Sequence, residues 1–211
     1  MTTSPAKYGP TKHPTDAVLT DYVSGSLRQA FSAVVAAHLE HCADCRVAVS
    51  GLEAIGGALI ESLPAGDMDA ERLIEAMAAL DKPEPKRAQE GKPTEGRVPF
   101  GGELWLSPGM GIRRARRAGK GKDLLYLLRL PAGQITLPHG HNGVEFTTVL
   151  KGAYKDGDQI FAAGDFCELD ASCDHQPQVQ TDGECVCMIA SERPMRTTTR
   201  IGRIVQALTG V

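Results

Sequence analysis

The sequence has little of what marks a membrane protein or a nucleic-acid-binding protein. No apolar run approaches the roughly 20 residues that span a bilayer. The N-terminal stretch "MTTSPAKYGPTKHPTD" has no apolar core of the kind found in signal peptides. Basic residues are not in excess, since the net charge is −3 at pH 7, which argues against direct binding of nucleic acid. We therefore expect a cytoplasmic protein with no membrane segment and no nucleic-acid partner.

Six cysteines are present, but disulfide bonds are not expected in a reducing cytoplasm. These residues are instead candidate metal ligands, redox sensors or buried small side chains. Cys185 and Cys187 alternate on a predicted strand and share one face. Burial is favoured over oxidant sensing for this pair, because no nearby cation pattern lowers the thiol pKa. The six positions are Cys42, Cys45, Cys167, Cys173, Cys185 and Cys187.

The first part of the chain predicts helices and the second part predicts strands. Apolar residues recur at helical spacing in four segments between Thr15 and Leu80. The third segment contains three glycines that weaken helix propensity, so we expect tertiary packing to hold it. After Leu104, short runs rich in β-formers alternate with Gly, Asp and Pro, which indicates an all-β sandwich or barrel. The three glycines are Gly51, Gly56 and Gly57.

A charged, proline-containing stretch, "DKPEPKRAQEGKPTEGRVPF", separates the two parts. It offers almost nothing to bury, which is typical of an extended linker. We therefore predict a two-domain α plus β chain, in which a small all-α domain precedes an all-β barrel. The predicted bounds are 1–85 for the helical domain, 86–104 for the linker, 105–195 for the barrel, and 196–211 for a tail with a helical pattern.

The stretch "HLEHCADCR" contains a candidate metal site. His38 and Cys42 are four residues apart and face the same side of a helix, and Cys45 follows three later, so the three side chains can converge near the helix end. Thiolates and imidazoles form closed tetrahedral sites for structural zinc. His13 and His41 are both candidates for the fourth ligand, and spacing ranks His13 only slightly first, because His41 lies about 100° round the helix from Cys42. A redox motif is less favoured, since no βαβ pattern surrounds it.

His13, the segment "DAVLTDYVSGSL" and the pattern His38-x-x-x-Cys42-x-x-Cys45 together resemble the zinc-binding anti-sigma domain. In that family a small helical domain holds an extracytoplasmic-function (group IV) sigma factor inactive. The resemblance implies that His13, His38, Cys42 and Cys45 bind zinc. It also implies that the partner of this chain is such a sigma factor.

A second candidate metal site lies in "GQITLPHGHNGVEFTTVLKG". His139 and His141 point to the same face of a strand, Glu145 follows after a short bend, and His175 can complete the set from another strand. Imidazoles suit late first-row metals and the carboxylate adds negative charge. The spacing G-x5-H-x-H-x3-E-x6-G resembles the first cupin motif, and "AAGDFCELDASCDHQP" resembles the second more loosely. The resemblance implies a jelly-roll barrel with these four residues as ligands, to zinc or a related metal.

The order of the two domains narrows the expected function. A helical anti-sigma domain followed by a cupin-like barrel resembles the ChrR class of anti-sigma factors. That resemblance implies a regulator that represses its sigma factor and releases it under oxidative stress such as singlet oxygen, with the barrel as sensor and no catalysis. The alternative is a metal-dependent cupin enzyme, such as a dioxygenase or isomerase, with a regulatory zinc module. The ligand set alone does not decide between these functions.

Overall fold

The computed structural model describes residues 9–64, 66, 69–80, 106–109, 112–117 and 123–197, with the strand backbone alone for 106–109 and 112–117. The predicted linker, 86–104, lies outside these ranges. Residues 198–211 of the predicted tail do so as well. The predicted domain bounds therefore stay predictions.

Among the described residues, four helices precede the strands: α1 (Asp16–Val23), α2 (Gln29–His41), α3 (Ala43–Glu61) and α4 (Ala70–Leu80). Thr15 caps α1, because its side chain accepts a hydrogen bond from the Val18 amide. Cys42 alone separates α2 from α3, and its extended backbone (φ −113°, ψ 108°) ends one helix and begins the next. The predicted second and third helical segments are thus two separate helices, but His38, Cys42 and Cys45 do not share one face of a single helix as their spacing predicted.

The second half of α3 has little packing within the chain. Its buried residues are Cys45 and Val49, both in the first two turns. Beyond Leu52 its large apolar side chains are exposed. The expectation that this chain's own packing holds the glycine-containing helix is thus wrong for that half, which makes its apolar surface available to another molecule.

In the described part of the chain twelve strands follow the helices, and they confirm the predicted all-β unit. They form a six-stranded sheet in the order β1-β2-β3-β11-β5-β8 and two three-stranded sheets, β10-β6-β7 and β12-β4-β9. The strands are β1 (Leu106–Gly109), β2 (Ile112–Arg117), β3 (Leu124–Leu130), β4 (His139–Gly140), β5 (Glu145–Lys151), β6 (Ala153–Asp156), β7 (Gln159–Ala162), β8 (Phe166–Leu169), β9 (Asp174–His175), β10 (Gln178–Val179), β11 (Cys185–Ser191) and β12 (Arg196–Thr197).

Strand β3 is covered on both faces, which explains its run of consecutive apolar residues. Leu125 and Leu127 belong to a core shared with the helices, whereas Leu124 and Tyr126 belong to the core inside the barrel. The helical unit therefore packs directly on the outside of the barrel.

Helix α2 makes most of this contact. The ring of Phe31 lies edge-on to that of Phe146, with centroids 4.9 Å apart. The Thr148 hydroxyl donates a hydrogen bond to the Val34 carbonyl at 2.9 Å. None of the helices described combines the length and hydropathy that a bilayer-spanning segment requires.

Candidate metal centres

The structure brings the four residues of the first predicted site together. Donor atoms of His13, His38, Cys42 and Cys45 all lie within 4.8 Å of one another. His13 Nδ1 is 3.3 Å from Cys42 Sγ and 3.4 Å from Cys45 Sγ, and His38 Nε2 is 3.3 Å from Cys45 Sγ. Tetrahedral zinc bonded to nitrogen and sulfur separates its ligand atoms by about 3.3–3.8 Å. The four residues, named here the first cluster, thus fit a tetrahedral ion.

The break between α2 and α3 is what allows this convergence. His38 lies in the last turn of α2, Cys42 at the junction and Cys45 in the first turn of α3. His13 comes from the extended segment before α1. Cys42, Cys45 and His38 are buried whereas His13 is exposed, so the site has one side open to solvent through which an ion can enter.

Local contacts set the protonation of the His38 ring and of the Cys45 thiol before a metal binds. Burial lowers the pKa of His38, which keeps the ring neutral, and its Nδ1 donates a hydrogen bond to the Gly164 carbonyl at 2.7 Å. The Nε2 lone pair is therefore free to face the cluster. Burial, together with the neighbouring Cys42 thiol, raises the pKa of Cys45 to about 12. A metal ion must then displace that proton on binding, which couples its affinity to pH.

Three histidines of the second predicted site also converge. His175 Nε2 lies 3.0 Å from His139 Nε2 and 3.1 Å from His141 Nε2. His139 Nδ1 lies 2.8 Å from the Leu137 carbonyl, and burial lowers the pKa of His139. A neutral ring donates through Nδ1 here, so its Nε2 presents a lone pair. Lone pairs this close repel each other unless a cation lies between them. The three histidines, named here the second cluster, therefore fit a metal ion.

Glu145 lies beside this second cluster but not within the group of mutually close donor atoms. Its Oε2 is 3.5 Å from His141 Nδ1, the nitrogen that faces away from the other histidines. That Nδ1 is buried and has no hydrogen-bond partner. A small movement of the Glu145 side chain would let its carboxylate accept a hydrogen bond from that nitrogen or bind an ion. Its role as a metal ligand stays a prediction.

Sequence spacing gave no sign of Asp156, the residue that orients His175. Asp156 ends β6, and its Oδ2 lies 2.6 Å from His175 Nδ1. A carboxylate in this position fixes the ring tautomer and leaves Nε2 to the metal. The two residues are 19 positions apart and meet only through the pairing of the barrel strands.

Asp156→Asn is expected to weaken metal binding at the second cluster about tenfold, because an amide holds the imidazole less firmly than a carboxylate does. The measurement is a competition titration of the full chain against a chromophoric chelator. Asp158→Asn is the matched control, since Asp158 is exposed on the same hairpin. Equal affinities for the two variants would contradict this role for Asp156.

The remaining cysteines are mostly buried, as the sequence predicts for the pair Cys185 and Cys187. The sulfur atoms of this pair lie 3.6 Å apart inside the barrel. The hydrogen bond with Cys185, together with burial, raises the pKa of Cys187. Burial raises that of Cys167 to about 12. Protonated, enclosed thiols of this kind are poor nucleophiles.

Comparisons with known proteins agree with this architecture. Residues 103–194 match the family described as the ChrR cupin-like domain. The chain is 34% identical over 203 residues to the anti-sigma-E factor ChrR of Cereibacter sphaeroides, and the match covers 92% of this chain and 95% of that protein. The chain therefore belongs to the ChrR family of anti-sigma factors. The resemblance predicted from its motifs is confirmed.

A solved structure extends the ChrR match to three dimensions. The crystal structure of Rhodobacter sphaeroides SigE in complex with the anti-sigma ChrR superposes with a TM-score of 0.73 at 36% identity, over 85% of this chain and 98% of the matched chain. This confirms the predicted order of a helical unit and a cupin-like barrel. In this ChrR family member, each of the two clusters could hold a metal ion.

Proposed function

We propose that this chain binds an extracytoplasmic-function sigma factor through α3 and α4 and thereby keeps it from RNA polymerase. The observation that supports the proposal most directly is a set of exposed apolar side chains on these two helices and, at Leu63, just after α3. This set is named here the α3–α4 apolar surface. Its members are Ile55, Leu59, Ile60, Leu63, Leu73, Ile74, Met77 and Leu80.

Helix α4 in particular needs a partner. None of its 11 residues is buried, and isolated helices of this length are marginal in water. Ile74 and Leu80 are 68% and 83% exposed. Contiguous exposed apolar surface of this kind marks interaction sites in soluble proteins, and an amphipathic helix that lies in a partner's groove is a common way to cover it.

The matched crystal structure supports a sigma factor as this partner, because it contains ChrR in complex with SigE. A chain that aligns with ChrR over almost its whole length would use the same class of partner. We propose a cytoplasmic location for the same reason, since sigma factors act on RNA polymerase there.

We propose zinc as the metal of the first cluster. Two thiolates and two imidazoles are a donor set that zinc prefers, and four protein ligands close the shell of a structural site. His13, His38, Cys42 and Cys45 would then join the N-terminal segment, α2 and α3 into one unit. The metal would fix the direction of α3 and so of the α3–α4 apolar surface.

We propose that the second cluster holds zinc or a related metal through His139, His141, Glu145 and His175, and that it serves in sensing. Oxidative stress such as singlet oxygen would change this site and favour release of the sigma factor. Such a signal acts only if it alters the free-energy difference between the bound and released states. No catalytic role is assigned to the barrel.

Co-expression with candidate sigma factors tests the function and separates it from catalysis. We expect a stable complex with one of them and repression of its reporter gene. A double variant, His141→Ala with Glu145→Ala, should keep the complex but respond less to photosensitised singlet oxygen. If the variant instead loses turnover of a small substrate and keeps a normal response, the metal-dependent cupin enzyme is the better explanation.

A further inference from the structure

The turn between β7 and β8 of the barrel reaches the first cluster. Its Gly164 carbonyl accepts the hydrogen bond from His38 Nδ1, and this bond selects the tautomer that presents Nε2 to the cysteines. A residue of the barrel, 126 positions away in sequence, therefore orients a ligand of the helical unit.

Asp165, the next residue of this turn, holds the segment that leads to His13. Its side chain is almost completely buried, at 2% exposure. Oδ1 accepts hydrogen bonds from the backbone amides of Thr11 at 2.7 Å and Lys12 at 3.1 Å. Oδ2 accepts one from the Ala162 amide at 2.8 Å, within the barrel. Bonds from amides to a charged carboxylate are among the stronger ones in proteins.

Two further contacts restrict the same segment. The Phe166 amide donates a hydrogen bond to the Lys12 carbonyl at 3.0 Å, which joins the segment to the start of β8. Gly164 has φ +93°, and a Cβ added there would lie 2.7 Å from Pro10 Cγ and 3.0 Å from His41 Cβ. Glycine is thus needed both for the backbone conformation and for the close approach of the N-terminal segment and α2.

We propose that the β7–β8 turn is a positioning element of the first metal cluster. Through Gly164 and Asp165 it holds both histidine ligands, whereas the two cysteine ligands come from the α2–α3 junction. The inference rests on the proposed binding of metal at this cluster. Its consequence is reciprocal: metal at the first cluster and the contacts of this turn with His38 and with the segment before His13 stabilise each other, as linkage requires.

The turn also lies close to the second cluster along the chain. Strand β8 follows Asp165 directly, and its last residue, Leu169, is the cross-strand partner of Glu145. A displacement of β8 at the second cluster would therefore also move Gly164 and Asp165, the two residues that hold the histidine ligands of the first cluster.

The test uses the full chain loaded with Co²⁺, because the first cluster contains thiolates and the second has none among its candidate ligands. Thiolate-to-cobalt charge-transfer absorption thus reports on the first cluster alone. We compare Asp165→Ala and the milder Asp165→Asn with Arg28→Ala. Arg28 bonds Asp123 at 2.7 Å and Glu192 at 2.5 Å across the same helix–barrel interface, away from the cluster.

We expect Asp165→Ala to release cobalt to a chelator roughly 10–100 times faster than the wild type, with Asp165→Asn intermediate and Arg28→Ala unchanged. Release at the wild-type rate from both Asp165 variants overturns the proposal. Equal acceleration by Arg28→Ala also overturns it, because the effect would then be general loosening of the interface. Absence of the charge-transfer band in the wild type would instead refute metal binding at the first cluster. Thermal unfolding checks that each variant is folded before release is measured.

Discussion

Replacing both Cys42 and Cys45 with serine is expected to weaken sigma-factor binding by roughly a thousandfold or more. Structural zinc contributes about 10–16 kcal/mol to the folding of small zinc-binding peptides, so loss of two ligands removes most of that free energy. Helix α3 has few other attachments, since Cys45 and Val49 are its buried residues. Without metal the helix loses its fixed direction, and the exposed apolar side chains of α3 are no longer held in one orientation for the partner.

The measurement is the dissociation constant of the complex, by calorimetry or biosensor, with metal content determined on the same samples. Cys173→Ser is the matched control, because Cys173 is a half-buried free cysteine outside both clusters. We expect it to retain wild-type affinity and metal. A double variant that loses its metal but still binds at wild-type strength would show that the first cluster has no part in the interaction.

Sequence spacing identified which residues form the first cluster, but it did not give their arrangement correctly. His38, Cys42 and Cys45 fit one face of a continuous helix, yet the helix breaks at Cys42. The apolar pattern already separated the second and third helical segments near Cys42, but the direction in which the chain turns between them leaves no signal in local sequence. The set still converges because the extended backbone at Cys42 turns the first residues of α3 back toward the end of α2.

The fourth ligand, His13, could not be identified firmly from sequence spacing alone. His13 is 25 positions before His38, and spacing ranked it only slightly above His41; the family motif favoured it more clearly. In the structure its Nδ1 reaches both thiols. This position depends on the barrel, because Asp165 holds the segment before His13. Contacts over 150 positions leave no periodic pattern in a sequence.

Packing of the helices on the barrel was not predicted, although one signal pointed to it. The run "LLYLLRL" of β3 is apolar at consecutive positions, which indicates a strand covered on both faces. The long polar linker instead indicated two units that do not pack on each other. The structure agrees with the strand pattern, since Leu125 and Leu127 face the helices.

The helical unit has two surfaces with different uses. Helix α2 faces the barrel, through Phe31 and Val34, whereas the α3–α4 apolar surface faces outward. A sigma factor can thus bind while α2 stays docked. A signal from the barrel then has to reach α3 through α2 or the first cluster, and the turn at Gly164 contacts both His38 and the side of His41.

Replacing both Ile74 and Met77 with aspartate is expected to weaken sigma-factor binding by at least roughly a hundredfold. Full burial of such side chains stabilises by about 1.5–3 kcal/mol each, and each factor of ten requires about 1.4 kcal/mol. Two carboxylates at an apolar contact add a desolvation penalty. Both side chains are exposed in this structure, so the unbound protein should lose little stability.

Glu75→Gln is the matched control, since Glu75 is exposed on the same helix between the two substituted positions. It should leave the dissociation constant within about threefold of wild type, because the change is isosteric and removes one surface charge of small effect. Unchanged thermal unfolding and metal content of the aspartate variant would locate its defect in the interface. Wild-type affinity of that variant would show that α4 does not contact the partner, and the exposed part of α3 alone would then have to supply the binding surface.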